Sequence, residues 1–225
     1  MKIPVLDYGY VDLLNHTDEG DLLVVNAARC SFDKQHEELD SVKDTKLINY
    51  LAKHGHVLPF RHPSVTIRIH APLFVLRQLG KHQVGFSWSE VSRRYISGTP
   101  DHYLPEADQI REASDNVKQG SKLTPISPKV GAQLNEEMEE LYDLADFVYT
   151  KMLEEGASAE QARMVLPQAM YSTTVTTGTL LGWFHMWQLR TEEHTQLETQ
   201  EYAIAIGDIM RELFPISWEA LCERS

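Results

Sequence analysis

The apolar positions of this chain change rhythm along its length. From Val65 to His70, Val, Ile and Ile alternate with Thr, Arg and His, the two-residue period of a half-buried strand. Leu134, Met138, Leu141, Ala145, Val148 and Met152 follow at spacings of 4, 3, 4, 3 and 4, which lays one stripe along a long helix with the acids between Glu136 and Glu140 outside it. A stripe of that kind packs into a core or a subunit interface. Between Thr173 and Leu189, the residues Leu180, Leu181, Trp183, Phe184, Met186 and Trp187 cover most of a helix's circumference, predicting a buried helix interrupted by His185 and Gln188.

Weaker signals fill the intervals. Lys2 to Leu14 alternates loosely and suits a strand, and His16 to Gly20 reads as a turn, with Asp21 as the cap of the next element. Leu22 to Ala28 is a compact apolar run that is either helix or buried strand, since periodicity does not separate the two at this length. Asp40 to Ala52 has a helical repeat stopped at Gly55, and Pro72 starts a helix that carries Phe74, Val75 and Leu76 toward Arg77 and Gln78. The interval from Ile96 to Gly131 is punctuated by Gly98, Pro100, Pro105, Gly120, Pro125 and Pro128 and reads as a long surface loop or lid. Ser158 with Gln161 is a capping-box pair, so a short helix starts at Ala159, carries Arg163 and ends at Leu166-Pro167. A last helix runs from about Glu193 to Phe214, with Thr191 as its N-cap and acids in its first turn.

Composition narrows the class. A chain of 225 residues that is 42% hydrophobic buries a sizeable core, and one domain over residues 1–225 is expected. The formal net charge of -12 opposes a nucleic-acid-coating role. No run of 18 apolar residues occurs and the N-terminus turns polar at once, so a soluble, cytoplasmic protein is expected. Cys30 and Cys222 form no Cys-x-x-Cys and indicate neither a disulfide framework nor zinc. His54-x-His56 has no accompanying Cys or carboxylate motif, and no metal is expected there.

Against this acidic background, Arg77 to Tyr95 reverses the sign. Arg77, Lys81, His82, Arg93 and Arg94 surround one carboxylate, Glu90, and are interleaved with Gln78, Gln83, Ser87, Ser89, Ser92 and Tyr95. Cations mixed with amides and hydroxyls suit an anion that also carries planar amide groups, such as a nucleotide or a flavin. The plain alternative is a solvated basic face beside a strand.

The order and spacing of these residues resemble the flavin-dependent thymidylate synthases, whose signature is Arg-His-Arg, a short spacer, Ser, four residues, Ser, one residue, Arg, then Tyr. Ser87, Ser92, Arg94 and Tyr95 reproduce its second half, and Arg77-Gln78 precede Lys81-His82-Gln83 at the family's distance. Lys81 and Gln83 depart from the two arginines, and three residues rather than two separate Gln83 from Ser87. Further phrases are similar: Ala27-Ala28-Arg29-Cys30-Ser31; His56-Val57-Leu58-Pro59-Phe60-Arg61-His62, in which Leu58 replaces a hydroxyl residue and Arg61 a Glu; Ala162-Arg163 to Leu166-Pro167; and Leu189-Arg190, His194, Gln196.

This resemblance implies a mixed α/β fold of α+β arrangement, a mixed sheet with flanking helices and a helical C-terminal half. It implies a homotetramer whose sites are shared between subunits around FAD and dUMP, with methylenetetrahydrofolate as carbon donor and NADPH as reductant. Arg190 is then the catalytic candidate; Gln78, Lys81, Glu90, Val91, Ser92, Arg93, Arg94 and Arg163 are candidates for dUMP, with Arg190 beside them. Ser31, His56, Lys81, His82, Gln83, Glu90, Thr179, His185 and His194 are candidates for the flavin. No Gly-x-Gly-x-x-Gly follows a strand, so side chains and subunit contacts are expected to hold the FAD. Cys30 sits outside the basic stretch, Cys222 lies in the C-terminal tail and Ser92 has no adjacent base, so no enzyme nucleophile is expected to attack dUMP. For Arg190 alone, the competing reading is an ion pair with Glu192 or Glu193. Two other functional classes compete with the enzyme. A non-catalytic nucleotide-binding module would bind dUMP and stay colourless with FAD, and an RNA-binding protein would show steep salt dependence.

Overall fold

The computed structural model describes residues 1–115 and 120–224. In chain order the elements are β1 (Lys2–Val5), β2 (Gly9–His16), α1 (Gly20–Arg29), α2 (Lys43–Lys53), β3 (Ser64–Pro72), α3 (Leu73–Leu79), β4 (Phe86–Glu90), β5 (Arg111–Ala113) and β6 (Ser121–Pro125). There follow α4 (Pro128–Glu154), the short α5 (Ala159–Ala162), β7 (Tyr171–Thr179), α6 (Leu180–Arg190), α7 (Leu197–Leu213) and α8 (Pro215–Arg224). Five strands form one sheet in the order β1-β2-β3-β7-β4, antiparallel at every pairing, and β5 and β6 form a separate hairpin. The class is α+β, as expected, with an antiparallel sheet rather than a mixed one.

The period-two stretch is the centre of that sheet. Val65, Ile67, Ile69 and Ala71 of β3 are essentially inaccessible and face the helices, while β7 pairs along the whole strand from Ser64↔Thr179 to Pro72↔Tyr171. Helices α6 and α7 close this face. The Trp183 indole N–H donates to the Val65 carbonyl at 3.2 Å, and the Tyr202 hydroxyl donates to the His70 carbonyl at 2.8 Å. Their buried side chains join those of α1, α2 and α8 in one hydrophobic cluster.

Several expectations change. The N-terminal stretch is a hairpin rather than one strand, turning at Leu6 with φ of 57°. Gly9 starts the second strand because a Cβ there would stand 1.8 Å from the Tyr202 hydroxyl and 2.5 Å from the Val5 carbonyl oxygen. Residues 22–28 are helical, but Asp21 does not cap that helix. Its buried carboxylate accepts from the Ile216 and Ser217 amides at 3.1 and 2.9 Å, so it caps α8 from nearly two hundred residues away.

Residues 171–179 are a strand, and the buried helix begins only at Leu180, where the Thr179 hydroxyl accepts from the Gly182 amide at 3.1 Å. The β-branched run Thr173-Thr174-Val175-Thr176-Thr177 carries the strand signal that the apolar count overrode. The interval 96–131 is not a bare loop: it contains β5, β6 and the first turn of α4, while residues 116–119 lie outside the described residues. Ala159 does start a short helix, though the Ser158 side chain makes no cap bond to its backbone. The last long helix begins at Leu197, after a turn in which Gln200 Nε2 donates to the Glu192 and Thr195 carbonyls. Thr191 is therefore no N-cap, and its hydroxyl donates back to the Trp187 carbonyl at 2.8 Å.

The α4 stripe stays outside the core cluster. Leu134 and Leu141 are exposed, as are Val130, Leu144 and Phe147, and the residues of this helix that bury are Gly131, Tyr142 and Tyr149.

Candidate active site

The short helix α3 delivers the basic stretch to the edge of the sheet. Val75, Leu76 and Leu79 bury one face, which turns Arg77 and Gln78 outward just before the chain leaves the helix at Gly80. Strand β4 then pairs with β7 from Phe86↔Gly178 to Glu90↔Thr174, and the Trp88 indole donates to the His82 carbonyl at 3.0 Å, pinning residues 80–85 between helix and strand. Rigid support at both ends is what a binding loop needs.

On one side of this segment lies an open cleft of about 720 Å³, lined among others by Arg77, Lys81, Glu90, Val91, Arg93 and Arg163. Four cations face one carboxylate there, and Glu90 is itself held by the Ser172 hydroxyl at 3.0 Å. Arg93 donates to the Gly98 carbonyl and lies over the Tyr149 ring. Neither Ser92 nor Arg94 lines this cleft: the Ser92 hydroxyl accepts from the Arg94 amide at 3.3 Å, and the Arg94 guanidinium pairs with Glu160 at 3.0 Å.

A second cavity, of about 400 Å³, contains Gln78, Arg190, His194 and Gln196. Arg190 is the last residue of α6 and does not pair with Glu192 or Glu193 among the described ion pairs. Its Nε instead donates to His82 Nε2 at 3.1 Å and an Nη to the Gln78 carbonyl at 2.9 Å, while the Gln78 amide donates to Gln196 Oε1 at 2.8 Å. An arginine only donates, so His82 must present an unprotonated Nε2 and carry its proton on Nδ1. Burial first, then the charges of Arg190 and His185, press the His82 pKa down to about 4. Burial also lowers the Arg190 pKa, against the opposing carboxylate of Glu192, yet a guanidinium stays cationic.

This arrangement makes a pH prediction. The folded pKa of about 4 lies below the ordinary 6.5, so between those values the unfolded chain binds more protons and stability falls as pH drops. Urea midpoints measured from pH 7 to pH 4 are expected to decline more steeply in the wild type than in His82→Gln. Parallel curves would remove His82 from the acid response.

A third, small cavity contains Arg61, Val84, Gly85, Thr179 and His185. Ser31 and His56 line none of these three cavities; Ser31 is exposed in a turn after α1, and the exposed His56 ring lies 6.1 Å from that of Tyr50. Gln83 is exposed, its amide donating to the Gly80 carbonyl at 2.5 Å. Arg77, named within the basic stretch, and Gln196, within the quoted Leu-Arg phrase, were assigned to no ligand in the sequence, and Met164 and Leu166 stand beside Arg163 in the first cleft with no local pattern to signal it.

Comparison with known proteins decides the family. A family model described as thymidylate synthase complementing protein matches residues 12–216. The chain belongs to the flavin-dependent thymidylate synthase family. It is 36% identical over 220 residues to the flavin-dependent thymidylate synthase of Thermotoga neapolitana, covering 98% of this chain and 94% of that one. Against the enzyme of the same name from Thermus thermophilus, identity is 34%, with 99% and 79% covered. Among solved structures, the UMP/dUMP methylase PolB from Streptomyces cacaoi bound with 5-Br dUMP superposes with a TM-score of 0.87 at 29% identity, over 98% of this chain and 97% of that one.

Proposed function

We infer that this chain is a thymidylate synthase that converts dUMP to dTMP by reductive methylation, with methylenetetrahydrofolate as carbon donor and NADPH as reductant. The observation that carries this reading is Arg190, fixed by a neutral His82 and the end of α3, beside a cleft with four cations and one carboxylate. A phosphomonoester needs several donors and a net positive site, which Arg77, Lys81, Arg93 and Arg163 offer. The uracil needs something different. Its C5 is a poor nucleophile until negative charge is encouraged on the ring carbonyls and N3, and a positioned guanidinium stabilises that charge in a partly desolvated site. Two of the three Arg190 nitrogens are engaged by His82 and Gln78, which leaves the third for substrate.

FAD supplies the reducing equivalents that take the transferred carbon to a methyl group. The residues present fit a flavin nucleotide. Gly85, with φ of 82°, lines the third cavity beside Thr179, and Arg61 and His185 offer donors there. Lys81 and Glu90, which line the cationic cleft, are assigned to both ligands, and His82 and Gln83 to the flavin, with His56, Ser31 and His194 as outer contacts.

We further propose that the chain acts as one domain in a homotetramer with shared sites, in the cytoplasm. Two features support this. Val130, Leu134, Leu141, Leu144 and Phe147 expose apolar surface along α4, and Ser92 and Arg94 lie outside the cleft they would serve within one chain. Ser92 and Arg94 are assigned to a neighbouring chain's nucleotide. No described helix is long and apolar enough to cross a membrane.

One assay tests the reading: dUMP, methylenetetrahydrofolate, NADPH and FAD with the purified chain, followed by detection of dTMP. UMP belongs in a parallel arm, because the similar PolB is described as a UMP/dUMP methylase. Binding of dUMP without flavin uptake or product would favour a non-catalytic nucleotide module instead.

A further inference from the structure

We propose that Arg61, His185 and Arg224 form an anion subsite that takes a phosphate of a bound dinucleotide, the pyrophosphate of FAD. The proposal rests on the flavoenzyme reading above and deepens it, assigning the donors around the third cavity to one group of the flavin nucleotide. Arg61 ends a turn whose preceding Pro59 and Phe60 are buried, so the backbone is anchored and the guanidinium projects outward. It lines a cavity of about 80 Å³ together with Gly85, Thr179 and His185. Pockets that enclose a whole small molecule run to about 300–1,000 Å³, so this one suits a single compact group rather than a ring system.

Charge points to which group. Arg61 and Arg224 take part in no ion pair among the described residues, in a chain with 33 acidic and 21 basic side chains. Both are exposed, so their guanidiniums are free to take an anion from solution. Both are close enough to His185 to act on it: desolvation, then Arg224, then Arg61, hold its pKa below the usual range. At neutral pH it is thus uncharged, with an N–H to donate in the cavity it shares with Arg61. Arg224 lies by the turn at Gly55, where its nitrogen would stand 3.9 Å from an added Cβ. Position 61 is one where the family's phrase carries an acid, so this chain has reversed the charge at the cavity's rim.

The test titrates apoprotein with FAD, riboflavin and inorganic pyrophosphate, comparing wild type with Arg61→Glu and Arg224→Gln after circular dichroism shows each folded. Charge-assisted bonds to phosphate predict that Arg61→Glu weakens FAD by about tenfold to a hundredfold, with riboflavin changed less than twofold. Arg224→Gln should move the same way by a smaller factor. Equal losses for FAD and riboflavin, or none for either, overturn the subsite. If FAD is unaffected but the KM for NADPH rises while that for NADH does not, the phosphate is the reductant's 2′-phosphate and the FAD assignment fails. Pyrophosphate binding that is lost in Arg61→Glu supports the anion site even if the wild type takes up no flavin, which separates this proposal from the functional reading.

Discussion

Arg190→Ala should fold, bind flavin and lose dTMP formation by a factor of about 10² to 10³, the usual effect of removing one positioned donor to developing negative charge. The fold should survive because Arg190 stands at the end of α6, half-buried, after the residues that enter the core. Its two hydrogen bonds, to His82 Nε2 and the Gln78 carbonyl, position it and brace no buried carboxylate. If its role were only an exposed pair with Glu192 or Glu193, its removal would cost about 0 to 1 kcal/mol and activity would persist. Arg190→Lys should rescue poorly. A lysine ammonium reaching for His82 and Gln78 has no fixed fork left to present to the uracil. Turnover near the wild-type rate in Arg190→Ala at saturating dUMP would take this residue out of the reaction.

Much of the site was legible in the chain because its signals are local. The basic stretch 77–95 contains Arg77, Lys81, Glu90, Val91 and Arg93, all of which meet at one cleft, and Arg163 joins them from the tight turn that follows the short helix, which ends at Ala162 rather than at Leu166. Long-range partners were not legible. Nothing near Arg190 announces that its partner is His82, or that Asp21 closes the amides of α8, because each bond joins segments more than a hundred residues apart. Strand β7 was hidden for a different reason. After Tyr171 its buried positions are Ser172, Thr174, Thr176 and Gly178, small and mostly polar, so counting apolar residues passes over an interior strand of the sheet.

That small-residue face of β7 also explains how the sheet meets α6. Gly178 has no side chain, and a Cβ there would stand 2.4 Å from the Phe86 ring and 2.7 Å from the Trp183 indole nitrogen. The gap lets the two rings meet edge to face at 4.7 Å across the strand. A core contact thus reaches the first residue of β4, whose last residue, Glu90, is the carboxylate of the cationic cleft.

Trp183 is therefore where the largest stability loss is expected. The side chain is inaccessible, its indole donates to the Val65 carbonyl in the central strand, and its ring supports Phe86. Trp183→Ala removes the largest kind of side chain from a core that refills only partly, at a cost of about 3–5 kcal/mol, a large share of the roughly 5–15 kcal/mol that holds a domain together. Trp183→Phe keeps most of the ring but leaves the Val65 carbonyl without that donor, so it should cost about 1–3 kcal/mol. Urea unfolding followed by circular dichroism measures both without relying on the indole as a probe. In addition, with the support under Phe86 gone, Trp183→Ala should raise the KM for dUMP at a temperature where the chain is still folded, because β4 carries Glu90 at the cleft. A loss under about 1 kcal/mol for Trp183→Ala would mean that the sheet and α6 are held together elsewhere.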